Sequence, residues 1–249
     1  NYAFTDGGVS GASVINQGSI IVAEGGYAVL AGEAVRNDGY IEANLGQVVL
    51  GGAKTFTLDI TGDNTLAFVV TAPVDVSPAD GKAIVDNAGS IQAAGGRVLM
   101  TARAASQVVG QVINTGGAVV ATSAQMVNGK IVLDGGGGSV SVAGNLDASG
   151  KASGQTGGSI DVNAQKIHVT ATAKLDVTGD AGGGKPRPRQ PRSGAARRGA
   201  GHAGGPARLA LCPGQGREYP APDAARENSA AGTGLAHRAP GVRSAAVRP

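Results

Sequence analysis

Five carboxylates punctuate the later part of the first 183 residues: Asp134, Asp147, Asp161, Asp176 and Asp180. Clustered carboxylates can act as acid and base in glycosidic cleavage, or supply oxygen ligands to Ca²⁺ in turns. The spacing here matches neither an EF-hand loop nor the glycine-aspartate nonapeptide of calcium β-rolls. The five are therefore read as turn residues. A polysaccharide-cleaving face would also need basic partners, and the arginines of this region, Arg36, Arg97 and Arg103, are scattered. GQVVLGGAKT at 46–55 has the glycines and Lys-Thr of a phosphate loop, but Lys54 follows Ala53 and the strand-like TFTLDI stands where a helix is required. His168, in KIHVTA, occupies an alternate position that points outward beside inward Ile167 and Val169. His202, His237 and the single cysteine, Cys212, all lie beyond residue 183, so the first 183 residues cannot build an ordinary zinc site. No catalytic residue, metal or cofactor is expected.

The elements that carry these residues announce themselves by repetition. VINQGSI at 14–20 returns as VRNDGYI at 35–41, VDNAGSI at 85–91 and VINTGGA at 112–118. The shared pattern is apolar-x-Asn-x-Gly-x-apolar-x-apolar. Its Asn slots are Asn16, Asn37, Asn87 and Asn114, and its Gly slots are Gly18, Gly39, Gly89 and Gly116. The pairs next along the chain are Ile20/Val22, Ile41/Ala43, Ile91/Ala93 and Ala118/Val120. A second phrase puts apolar residues at alternate positions after a glycine: Ala28/Leu30, Val48/Leu50, Val98/Met100 and Ile131/Leu133. Later come Val140/Val142, Ile160/Val162, Ile167/Val169 and Leu175/Val177. Alternation flanked by Gly and Asn is the signature of short strands, and no helical spacing competes with it. A repeat of 21 residues between Asn16 and Asn37 is too short for a propeller blade of ~40–45 residues. It suits one coil of a solenoid, each strand pairing in parallel with its counterpart one coil away. The expected fold is all-β, a parallel β-helix. Glycine at the corners would permit positive φ. Asparagine there tolerates the left-handed region, and identical Asn residues on successive coils can form an amide ladder.

Composition agrees with a core of small aliphatic side chains. Glycine makes up 43 of 249 residues, aromatics are 3 %, and there is no Trp. Apolar stretches such as LAFVV fall well short of the ~20 residues of a membrane helix, so no membrane insertion is expected. TFTLDITGDNTLAFVVTAPVDV at 55–76 exceeds what one coil needs and reads as a hairpin hanging off the coils, with Gly62-Asp63-Asn64 as its turn.

GASVINQGSIIVAEGGYAVLAGEAVRNDGYIEANLGQVVLGGAKTFTLDITGD resembles the haemagglutination-activity region of filamentous haemagglutinin-type exoproteins of the two-partner secretion route. VLDGGGGSVSVAGNLDASGKASGQTGGSIDV is similar to the repeat that comes after it in large members. The resemblance covers residues 1 to about 183. It implies a right-handed β-helix, exported through a dedicated outer-membrane transporter and displayed as a secreted or cell-surface bacterial adhesin. Its partners would be that transporter and a glycan or protein of a host-cell or bacterial surface. The Asn-Pro-Asn-containing motif with which that region normally opens is absent, so the chain is expected to start partway through it. Two alternatives stand beside the adhesin: a carbohydrate-active β-helix enzyme, and a degenerate gene fragment without independent activity.

Near Gly184 the text changes. Residues 1–183 carry 9 Lys+Arg against 15 Asp+Glu, whereas residues 184–249 carry 12 against 3, with nine of the 11 prolines. Such a tail is expected to be disordered. A basic tail can bind nucleic acid, but this Arg, Ala, Gly and Pro vocabulary is what GC-rich codons give out of frame. No nucleic-acid partner is expected, and translating the other two frames after codon 183 should restore Asn-x-Gly strands if the frame has slipped.

Overall fold

The computed structural model describes residues 1–60, 65–105 and 111–184, and the backbone of 207–210. The chain divides into two compact units, Asn1–Glu218 and Tyr219–Pro249. All the described residues belong to the first, and the second lies outside them.

The described residues are all-β, with no helix among them. The strands run β1 (Tyr2–Phe4), β2 (Ser13–Asn16), β3 (Ser19–Ile21), β4 (Tyr27–Gly32), β5 (Ala34–Asn37), β6 (Tyr40–Glu42) and β7 (Gln47–Gly52). Then come β8 (Thr55–Ile60), β9 (Leu66–Ala72), β10 (Val85–Asn87), β11 (Ser90–Gln92), β12 (Arg97–Ala102) and β13 (Gln111–Thr115). The last are β14 (Ala118–Val120), β15 (Lys130–Val142), β16 (Asn145–Asp147), β17 (Ser159–Val169), β18 (Lys174–Asp176) and β19 (Ala207–Ala210).

Two of the three sheets are built from parallel pairs, apart from β19 at the edge of one of them. One has the order β18-β16-β14-β11-β6-β3. The other joins two runs, β4-β7-β12 and β2-β5-β10-β13, through the long β15, with β17 parallel beside it. β15 pairs with β12 over Lys130–Asp134 and with β13 over Ser139–Val142. Between these halves lies a run of four glycines, and Gly136 takes φ 54° there. The left-handed conformation lets one strand serve two runs.

Register explains the core. Ile41, Ile91, Val119 and Leu146 succeed one another in the six-stranded sheet, each fully buried. Val48, Val98 and Ile131 form a second row, and Leu50, Met100 and Leu133 a third. Alternation thus turns one side of each strand inward, and each buried aliphatic side chain stabilises by roughly 2 kcal/mol. The fourth repeat departs from the expected pair. Val119 and Ala121 are buried, not Ala118 and Val120, because Ile113 and not Val112 pairs with Val85, which moves this phrase by one residue relative to its lettering. A one-residue slip exchanges the two faces of a strand.

Segment 55–76 folds as the antiparallel pair β8–β9, with β1 antiparallel on β8; the turn expected at Gly62-Asp63-Asn64 lies outside the described residues. The pair lies on the outer face of the β4-β7-β12 run. There Val49, Leu66 and Leu99 are buried against Leu58, Phe68 and Val132. Phe4, Phe56 and Phe68 stack at 4.6 and 4.8 Å. Gly51 is required beneath Phe68, whose ring occupies the space a Cβ would fill. Of the region read as a disordered tail, only Gly184, whose amide donates to Val177 O, and the backbone of 207–210 are described. The 207–210 backbone is the strand β19, antiparallel to Asp161–Ala164 of β17, where no strand was expected. The remainder of that reading, with its frameshift origin, lies outside the described residues.

Candidate functional site

The repeated phrase places its asparagines at the ends of β2, β5 and β10, stacked in register. Asn16 Nδ2 donates to Asn37 Oδ1 at 2.8 Å, and Asn37 Nδ2 donates to Asn87 Oδ1 at 2.7 Å. Asn37 and Asn87 are fully buried, and Asn16 nearly so. Each backbone carbonyl of the row also accepts two amides from the next pass: Asp38 and Gly39 on Asn16, Ala88 and Gly89 on Asn37, Gly116 and Gly117 on Asn87. The row therefore satisfies buried polar groups in both side chain and backbone.

Asn114 is not in this row. Its register partner is Asp86, to whose Oδ1 it donates at 2.8 Å on the outer face, and Thr115 stands beside Asn87 instead. The reason is the same one-residue shift. Gly116 is displaced with it: Gly18, Gly39, Gly89, Gly117 and Gly144 form the stacked row. None of these glycines has positive φ, and the described non-glycine residues with positive φ are Leu45, Gln125 and Met126. So neither the glycines nor the asparagines serve the left-handed geometry expected of them. The glycines are needed because a Cβ at Gly39 would collide with the Gly18 carbonyl, and one at Gly89 with that of Gly39. Gly117, Val119 and Ala121 keep the phrase's spacing when counted from Ile113, and that was the signal for the true register.

The ladder ends at Thr115, whose buried hydroxyl oxygen has no partner, while Asn87 Nδ2 reaches only Gly89 O at 3.5 Å. Thr115→Asn extends the row by one amide and should raise stability by about 1 kcal/mol. A rise in the thermal midpoint checks it, and a fall would show that Val142, the next residue in register, rejects the amide.

A second constellation had no sequence signature. Arg36, on β5 and 2 % exposed, forms a bidentate pair with Asp80, Nε to Oδ2 at 2.8 Å and Nη2 to Oδ1 at 2.7 Å. Its Nη1 donates to the carbonyls of Val35, Ala83 and Ile84 at 3.0, 2.6 and 3.2 Å. The guanidinium thus clamps the segment between β9 and β10 onto β5. The hydrogen bonds from Arg36, helped by the Lys82 amide, hold the Asp80 carboxyl at about 2 against the opposing effect of burial. A depressed carboxylate stabilises the fold above its ordinary pKa of 3.8, and that contribution is lost as pH falls toward about 2. Asp80 is 38 % exposed, so solvent screening discounts the loss to ~1 kcal/mol. Acid titration of thermal stability should show a decline between these values that Asp80→Asn removes.

The carboxylates that could do chemistry are already engaged. Asp134 pairs with Arg103 at 2.7 Å, accepts from Asn163 at 3.0 Å and caps Gly136 N. Asp161 lies 3.5 Å from Lys130, and Asp180 accepts from Gly154 N. Asp147 and Asp176 are register neighbours on the outer face of the six-stranded sheet. Asp147 caps Ser149 N, and Asp176 takes Thr178 N and Oγ1 and, at 2.8 Å, Lys151 Nζ. Burial pushes the Asp176 carboxyl up, but Lys151 and Thr178 together outweigh it and hold it below its ordinary value. Arg97 stands in register between Gln47 and Lys130, away from Asp147 and Asp176, and burial lowers its pKa. His168 is exposed, paired in register with Ser141. Lys54 is held by Asp75 at 2.6 Å, not by a glycine loop. Among the described residues no three His, Cys, Asp or Glu converge as metal ligands. His202, Cys212 and His237 lie outside the described residues.

Compared with known proteins, the chain matches no protein-family model and no curated protein sequence.

Proposed function

We propose that residues 1–183 are part of the right-handed parallel β-helical shaft of a secreted or surface-exposed bacterial adhesin of the filamentous haemagglutinin type. Such a shaft leaves the cell through an outer-membrane two-partner secretion transporter and attaches to a glycan or protein on a host-cell or bacterial surface. The observation that carries this reading is the unbroken parallel register of Asn16, Asn37 and Asn87, with its amide ladder, over three successive passes. These passes reuse the same corner, which is the requirement of a coil that serves shape. The sequence resemblance supplies the attachment role, since a fold does not dictate function.

A carbohydrate-active enzyme is the second reading, favoured by the adjacency of Asp147 and Asp176. It ranks lower because the Oδ1 atoms of both are committed to turns. Beads coated with the purified chain should adhere to epithelial or bacterial cells several-fold above albumin-coated beads. Adherence equal to albumin, together with release of reducing ends from a polysaccharide panel that Asp147→Asn and Asp176→Asn abolish, would replace the adhesin with the enzyme.

A further inference from the structure

We propose that Met126 is a reversible oxidation site, which takes one oxygen atom from a hydroperoxide while the fold around it stays intact. The inference needs only the geometry of one corner, not the attachment role. The sequence holds two methionines. Met100 lies in the core row between Leu50 and Leu133 and is 0 % exposed. Met126 is 90 % exposed, more than any other large hydrophobic side chain among the described residues. It sits at the tip of a finger between β14 and β15. Ala124 N donates to Val127 O at 2.9 Å and Val127 N to Ala124 O at 2.8 Å, which leaves Gln125 and Met126 as a two-residue turn. Both take positive φ, 48° and 67°, as a type I′ turn requires. The base of the finger is tied down as well. Ser123 Oγ donates to Thr156 O at 2.6 Å, Thr156 Oγ1 to Asn128 Oδ1 at 2.9 Å, and Ser123 N to Ser149 O at 2.7 Å. All these bonds are made by backbone or by other side chains, so the Met126 thioether has no part in holding the turn.

A thioether is oxidised to a sulfoxide by loss of two electrons. A sulfur lone pair attacks one oxygen of the hydroperoxide, the O–O bond breaks and an S–O bond forms. The proton on the transferred oxygen moves to the departing one, which leaves as water or an alcohol. The return takes two thiols: they are oxidised to a disulfide, and the sulfoxide oxygen leaves as water. Both reagents must reach the sulfur. At Met126 a hydroperoxide and a reductase that presents the thiols both can, whereas Met100 reacts only when its row opens. Oxidation converts a flexible apolar side chain into a polar one. The finger therefore offers an apolar tip when reduced and a polar tip when oxidised, with Val127, 50 % exposed, beside it.

Treating the full chain with hydrogen peroxide and mapping its tryptic peptides by mass tests this. Cleavage after Lys and Arg puts Met100 in peptide 98–103 and Met126 in peptide 104–130, both apart from Cys212. Under native conditions peptide 104–130 should gain one oxygen at least ~100-fold faster than 98–103, because Met100 waits for its strand to open. In urea the two rates should converge. Met126→Leu should leave 104–130 unmodified. The singly oxidised chain should keep its circular dichroism, and thiol-dependent methionine sulfoxide reductases, one for each sulfoxide epimer, should remove the oxygen. Native rates that differ no more than they do in urea, a sulfoxide that the reductases do not return, or loss of the β-sheet signal on single oxidation overturns the proposal.

Discussion

Replacing Arg36 with methionine should lower stability by about 3–5 kcal/mol. Arg36 is the largest fully buried side chain among the described residues, and methionine fills much of its volume while offering no donor. Three carbonyls, of Val35, Ala83 and Ile84, lose the Nη1 donor, although Val35 N still reaches Ile84 O. Asp80 loses both of its charge-assisted bonds. Buried acceptors left without partners cost ~1–3 kcal/mol each. The comparison is Arg103→Met, which removes an equally short pair to Asp134 but at 37 and 26 % exposure. That change should cost under ~1 kcal/mol, as exposed pairs do. Urea unfolding should show the large loss as a lowered midpoint at constant slope. A loss for Arg36→Met no greater than that for Arg103→Met would mean that the clamp on β5 does not hold the 77–84 segment.

The second large effect lies in the ladder. Asn37→Ala should destabilise by about 3 kcal/mol, because it breaks both links at once. Asn87 Oδ1 is left with no amide donor, and Asn16 Nδ2 keeps only Tyr40 O at 3.3 Å. The row is fully buried here, so water cannot replace the lost partners without opening the corner. Asn16→Ala, at the exposed end, breaks one link and should cost about half as much. Asn114→Ala removes one bond on the outer face and should fall below ~1 kcal/mol. The order Asn37, Asn16, Asn114 is the informative result. Equal losses for Asn37 and Asn114 would mean that the repeated asparagines are independent turn formers.

Strand identity was legible because alternation and turn residues state it locally. Ala28/Leu30, Val48/Leu50, Val98/Met100 and Ile131/Leu133 are the inward pairs that the spacing assigned. The fourth repeat was misplaced because Asn114 and Thr115 are adjacent, so matching the letter Asn slid the register by one residue. Counting apolar positions places Val119 and Ala121 inward and avoids the error. Glycine's part was legible as position and not as cause, since close backbone approach between passes leaves no mark distinct from a turn. The Arg36 clamp was hidden for a plainer reason: three of its acceptors are backbone carbonyls, which every residue carries, and Asp80 is 44 residues away. The covered outer face did leave a trace. VVL in β7 and VLM in β12 are apolar at consecutive positions, which marks strands buried on both faces. Gln47 adds a polar tie, donating to Leu66 O at 2.7 Å at the turn end of the antiparallel pair.

The core rows and the ladder both require strands distant in sequence to lie side by side in parallel. Nuclear Overhauser contacts between backbone amide and α protons in the isotope-labelled chain test that most directly, because in-register parallel neighbours bring these protons close. The expected contacts link the neighbourhoods of Ile20 with Ile41, Ile41 with Ile91, Ile91 with Val119, and Val119 with Leu146. α-proton to α-proton contacts, the mark of antiparallel pairs, should appear only for β1, β8, β9 and β19 with its partner β17. Such contacts between β6 and β11, or a register that pairs Ile91 with Ala118, would contradict the parallel fold.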